Sequence, residues 1–197
     1  MSPRVWSLLG LLALGCGVTP VPAPPATVRT VAVLTPGNRT GDELLVAGTS
    51  VLERYAFGTE RVTVPQVLAI ELRAALARRG YAVVAPEVVA AATEGRAVSS
   101  PDAAAELARH GHLDEPVLMV VVDQWQPDAP TQPTFVIVAV EAALVEPSSG
   151  TVLWHTRRRA GPIATPGSVT LGTAYETAVR KVVEELVGPW STERPPS

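Results

Sequence analysis

Pro116-Val117-Leu118-Met119-Val120-Val121-Val122 is an unbroken apolar run behind a proline. Apolar character without alternation marks a strand covered on both faces, the habit of a parallel sheet with helices on either side. The run therefore predicts the central strand of an α/β domain, with Asp123 and Gln124 at its carboxyl end.

Working outward toward the amino terminus, Ser100-Pro101-Asp102 has the grammar of a helix start: a capping hydroxyl, a first-turn proline and a carboxylate near the positive helix end. That helix stops at Gly111. Residues 81 to 84 read as a short strand closed by Pro86, and residues 87 to 93 as a brief alanine-rich helix before Gly95. Thr63-Val64-Pro65-Gln66 is a capping box with proline just inside. Leu68, Leu72, Ala75 and Leu76 form one apolar stripe behind it, and Gly80 ends that helix. Residues 43 to 62, with Gly48 and Gly58 breaking any long helix, read as an irregular insertion. Residues 28 to 34 are a first strand, stopped by Pro36-Gly37.

Toward the carboxyl terminus, the rigid loop from Asp128 to Pro133 leads to a long strand over residues 134 to 146. Pro147-Ser148-Ser149-Gly150 then turns the chain into a partner over residues 151 to 159. A four-residue turn sets Glu146 opposite Thr151, which puts Ala143 opposite Trp154 and brings Glu141 and Arg158 to one face as a cross-strand ion pair. Trp154 is expected in the core against the last helix, which runs from about residue 168 to 187 with Leu171, Tyr175, Ala178, Val179, Val182 and Leu186 on one face. Glu176 with Arg180, and Lys181 with Glu185, are spaced to pair on its wet side. The prediction is one α/β domain over residues 28 to 187: a mixed five-stranded sheet of order 2-1-3-4-5, three strands parallel and a hairpin added antiparallel, with helices packed on it. From residue 188 the prolines predict a loose tail.

The amino terminus carries a different message. Arg4 precedes an apolar run from Val5 to Leu14, the layout of a secretory signal but too short to span a bilayer. Leu12-Ala13-Leu14-Gly15-Cys16 resembles the lipobox of bacterial lipoproteins, which implies removal of residues 1 to 15 and lipidation, including palmitate, of Cys16. Pro20, Pro22, Pro24 and Pro25 make residues 16 to 27 an extended stalk behind that anchor. Gly17 after the cysteine resembles the default sorting signal for the outer membrane, which implies its periplasmic face. Without Arg4 the chain carries 15 basic against 19 acidic residues, a net of -4 that argues against nucleic acid as a partner. Cys16 is the only cysteine, so no disulfide forms within one chain.

Candidate binding residues cluster where strands end. Asn38-Arg39-Thr40-Gly41-Asp42 is a polar turn after the first strand, and ligands of open α/β sheets sit at such carboxyl ends. Asn38, Arg39, Thr40 and Asp42, with Asp123 beside them, are therefore the candidate binding set. Arg157, Arg158 and Arg159 charge the last strand, as a deterrent to edge pairing or a contact for an anionic surface. Gly37 and Gly41 make no phosphate loop, because no Lys-Ser or Lys-Thr pair follows. His110, His112 and Asp114 alternate, yet nothing nearby announces the further ligands a tight metal site needs. No metal, cofactor or catalytic constellation is expected, and the chain is not read as an enzyme.

The first-strand ending Asn38 to Asp42, the second strand at Gly80-Tyr81-Ala82-Val83-Val84 and the hairpin segment Ser149-Gly150-Thr151-Val152-Leu153-Trp154 together resemble an envelope lipoprotein superfamily. It includes curli secretion-channel subunits, penicillin-binding-protein activators and the amino-terminal domain of the Tol system's β-propeller protein. The resemblance implies a small mixed sheet with helices, a periplasmic setting, action through contact with other envelope proteins or copies of itself, and no shared catalytic residue. The expectation is a lipid-anchored interaction module for an envelope assembly or transport complex. Its rivals are a ligand-binding module built on the sheet-end loops and a subunit of a secretion channel.

Overall fold

The computed structural model describes residues 23 to 47 and 61 to 190. Residues 1 to 22, with the signal-like run and Cys16, and residues 48 to 60 within the expected insertion lie outside the described residues, as do 191 to 197. The elements in chain order are β1 Thr30–Val33, β2 Gly37–Asn38, β3 Leu45–Ala47, β4 Val62–Thr63, α1 Val64–Arg78, β5 Ala82–Val83, α2 Pro86–Thr93, α3 Pro101–His110, β6 Val117–Pro127, β7 Phe135–Val145, β8 Val152–Ala164 and α4 Leu171–Val187.

The main sheet has the order β5-β1-β6-β7-β8, with β2 continuing the β1 side of β6. β1 is parallel to β5 and to β6, and β6, β7 and β8 follow antiparallel. This is the mixed α/β sheet and the strand order read from the sequence. β6 is interior and buried through its first six residues. Its two faces serve two cores. Val31, Val33, Leu118, Val120 and Val122 pack beneath α1 and α4 with Leu72, Val179 and Val182. Ala32, Leu34, Met119 and Val121 pack beneath α2 and α3 with Val89, Ala104 and Ala108.

Local signals set the helix starts. The Thr63 N–H donates to Gln66 Oε1 at 2.8 Å, the returning half of the capping box. Ser100 Oγ accepts from Ala103 N–H at 3.3 Å, and Thr170 Oγ1 accepts from Thr173 N–H at 3.2 Å, so α4 begins at Leu171 rather than near residue 168. Gly80 takes φ +85°, the left-handed conformation that suits glycine after a helix. Gly111 has φ −84° and needs its hydrogen for another reason: a Cβ there would lie 2.2 Å from Ala92 O, where α3 and α2 come together.

Several expectations change. The insertion is not wholly irregular, since β3 and β4 at its two ends pair antiparallel. β8 runs on to Ala164, past the expected end at residue 159. Two residues of the supposed stalk join the domain: Pro24 is buried, and Val28 N–H donates to Pro25 O at 3.0 Å. Residues 188 to 190 are not loose, because Trp190 is 1% exposed and packs into the first core.

The hairpin starts as read, with Glu146 N–H donating to Thr151 O at 2.9 Å, and Val145 stands opposite Val152. Leu153 then bulges from the ladder, so Leu144, not Ala143, faces Trp154, and Glu141 faces Arg157. The expected Glu141–Arg158 pair does not form; Arg158 lies opposite Val140 and reaches Glu185 of α4 at 2.7 Å. Glu185 is thereby taken from Lys181, whose ammonium reaches Ala164 O. Among the described residues Glu176 and Arg180 form no ion pair either.

Candidate functional site

The first strand leads directly to a charged surface. After Thr35 bridges Ala97, β2 lies parallel to β6, with Gly37 opposite Val121 and Asn38 opposite Val122. Gly37 is required there, since a Cβ would sit 2.6 Å from Val98 O. Arg39 N–H donates to Val122 O at 2.9 Å, which delivers the guanidinium to the sheet face just beyond α2 and α3.

The turn that follows is self-contained. Asn38 Oδ1 accepts from Thr40 N–H at 3.0 Å and from Thr40 Oγ1 at 2.8 Å, while Asn38 Nδ2 donates to Asp42 O at 2.7 Å. Asp42 N–H donates in turn to Thr40 Oγ1 at 3.1 Å. The polar atoms of Asn38 and Thr40 are thus taken up in shaping the loop.

Asp123 is not a strand-end residue, because β6 continues to Pro127. It is the extra residue of a bulge: Val122 pairs with Val140 and Gln124 with Ala139, leaving Asp123 outside the ladder. The bulge switches the alternation, so that Trp125 joins Val120 and Val122 in the first core. It also aims Asp123 at two arginines. Arg39 Nη1 meets Asp123 Oδ1 at 2.8 Å, and Arg157 Nη2 meets Asp123 Oδ2 at 3.4 Å.

Two residues absent from the candidate set complete the group. Glu141 lies 3.8 Å from Arg39 Nη2 and 3.0 Å from His155 Nε2. Arg39 also donates to Ser99 O. The signal for Glu141 was present, as it is the sole charged residue between Phe135 and Val145. The side chains of Asp123 and Glu141 are recessed, 15% and 21% exposed, whereas Arg39, His155 and Arg157 are 39%, 46% and 60% exposed. The surface therefore offers two guanidiniums, with an imidazole beside them, held in place by carboxylates beneath them.

Of the arginine triplet, Arg157 belongs to this network and Arg159 is exposed. Arg158 turns to the other face, where besides Glu185 it donates to Val138 O and to Gly161 O at 3.1 Å, fastening the second bulge of β8. Asp42 lies apart from Asp123, at a cleft of about 350 Å³ with Leu44, Trp125, Leu171 and Tyr175. Burial raises the Tyr175 phenol there, with the Asp42 charge adding to it.

Chemically the network can hold anions or acidic side chains. His155 bonds Glu141, but among the described residues no hydroxyl or thiol donates to the ring. Among the described residues no group of three or more His, Cys, Asp or Glu side chains is placed to hold a metal ion. No helix among them is long and apolar enough to cross a membrane.

The chain matches no family model, and no curated relative matches it in sequence. Among solved structures it is similar to the PelC dodecamer from Paraburkholderia phytofirmans, at 19% identity and a TM-score of 0.45, covering 84% of this chain and 93% of that one. It is also similar to lipoprotein GNA1162 from Neisseria meningitidis, at 18% identity and a TM-score of 0.45 over 83% and 99% of the two chains. The LpoB C-terminal domain from Salmonella enterica aligns at 15% identity and a TM-score of 0.39 over 72% and 87%.

Proposed function

We propose that the chain is a non-catalytic interaction module of the bacterial envelope, held to the periplasmic face of the outer membrane by lipid on Cys16 after loss of residues 1 to 15. It docks an acidic surface of another envelope protein through Arg39, His155 and Arg157. The observation that carries this reading is the layering of the charged face: recessed Asp123 and Glu141 fix the Arg39 and Arg157 guanidiniums, which stand 39% and 60% exposed on and beside the last strand. Cations ordered in advance lose less freedom on docking and steer an acidic partner to the right register. The rival ligand-binding reading needs Asn38, Asp42 and Asp123 in one concave site. The self-bonding of the turn and the engagement of Asp123 by two arginines weigh against it.

In-cell photo-crosslinking from Arg159, beside the network, tests this against a control at Val169, which is 69% exposed. A partner should be captured from position 159 only, and Arg39→Glu with Arg157→Glu should abolish the capture. Repeated absence of any captured protein, or capture indifferent to the charge reversal, overturns the proposal. Cys16→Ser should release the protein from the outer-membrane fraction and remove palmitate labelling. Recovery of the unchanged protein with the inner membrane would overturn the location.

A further inference from the structure

Helix α1 carries a second cation on the far side of β1. Arg73 Nη2 donates to Val33 O at 3.2 Å, at the carboxyl end of β1, while its Nε–H is fully buried and meets no hydrogen-bond partner. Among the described residues no carboxylate lies within ion-pair distance of it, and burial alone lowers its pKa. A part-buried guanidinium with no carboxylate partner favours an anion beside it.

The surroundings have room for one. Arg73 lines a cleft of about 350 Å³ together with Thr35, Val62, Pro65, Ala69 and Ile70. That is within the size range of small-molecule sites, and the end of a parallel strand is where α/β sheets place them. Ile70 is 60% exposed at this cleft, one of four exposed large apolar residues among those described. Arg61 also borders it but is paired with Glu43 at 2.8 Å, and Gln66 is engaged by Thr63, so Arg73 is the charged group with capacity left.

We infer that the cleft between α1 and the end of β1 binds a small carboxylate with an apolar body, its head on Arg73 and its body against Val62, Pro65, Ala69 and Ile70. Guanidinium holds carboxylate through charge-assisted hydrogen bonds, and on the cleft side the terminal nitrogens of Arg73 supply them. The body is apolar because those four lining side chains are, and Pro36 beside them as well. The same chemistry is found in a free fatty acid and in the carboxyl end of a peptide.

The test uses the full chain in non-ionic detergent with three compounds: hexanoate, N-acetyl-leucine and the neutral N-acetyl-leucinamide. Arginine Nε–H resonances in ¹H–¹⁵N spectra report binding, and Arg73→Gln assigns the signal. Both acids should shift the Arg73 resonance, and the amide should bind at least about tenfold more weakly, the worth of a charge-assisted hydrogen bond. Stronger binding of hexanoate marks an acyl ligand and stronger binding of N-acetyl-leucine a peptide end. Ile70→Ser, at an exposed position, should weaken both severalfold without disturbing the other resonances, and so keeps the test independent of whether Arg73→Gln folds. A stationary Arg73 resonance at the solubility limit of both acids, equal binding of the amide, or affinity unchanged in Ile70→Ser overturns the inference.

Discussion

The indole of Trp154 on β8 stands edge-on to that of Trp190, ring centroids 4.8 Å apart at 87°, and the Tyr81 ring lies 5.7 Å from Trp190 at a tilt of 60°. α4 lies between the two tryptophans in sequence, so their contact closes the chain's last segment onto the sheet. Trp154→Ala and Trp190→Ala should each cost about 3 to 5 kcal/mol, because each empties a large buried site. The double variant should fall short of the sum by about 0.5 to 1.5 kcal/mol, the worth of the edge-to-face pair. Chemical denaturation measures all three. An unchanged midpoint for Trp190→Ala would show that residues 188 to 190 do not belong to the core.

Gly111→Ala should destabilise by about 1 to 3 kcal/mol through overpacking, since the added methyl would meet the Ala92 carbonyl of α2 at 2.2 Å. Gly111→Ala and Ala92→Gly together should recover little, because the obstacle is backbone. Thermal unfolding that leaves Gly111→Ala at the wild-type midpoint would contradict the close approach.

Arg158 and Glu185 should behave unequally. Glu185 is half exposed, and removing its carboxylate should cost less than about 1 kcal/mol. Arg158→Ala should cost about 2 kcal/mol, since Val138 O and Gly161 O lose their donor as well. Arg158→Lys should rescue only in part, a single ammonium being unable to serve the carboxylate and the bulge together. Equal losses for Arg158→Ala and Glu185→Ala would reduce the interaction to a surface ion pair.

The Asp128 carboxylate accepts from the Thr134 hydroxyl at 2.6 Å and from Thr134 N–H at 2.9 Å, which holds its pKa below the ordinary aspartate value. A carboxyl depressed in the folded state favours that state above its unfolded pKa, near 4, and the contribution fades as pH falls through the lower folded value. Carboxyl-carbon NMR should give Asp128 a midpoint below that of a model peptide, and Thr134→Val should move it up. A midpoint at or above the peptide value would exclude the loop bonds.

The unbroken apolar run from Val117 to Val122, the capping residues Thr63 and Ser100, and the stripe of α4 determined the mixed sheet, its order and its helices. Each is a short-range pattern whose burial has one economical solution. Part of the charged face was legible, since Arg39 and Asp123 were named as residues at strand ends and Arg157 as one of the arginine triplet. Its assembly with Glu141, His155 and Arg157 was decided by the bulges at Asp123 and Leu153, each of which shifts a strand by one residue and carries no side-chain signature of its own. The burial of Trp190 was likewise a tertiary decision. A tryptophan among prolines reads as a tail until Trp154 and Tyr81, 36 and 109 residues earlier in the chain, present the apolar surface that takes it in.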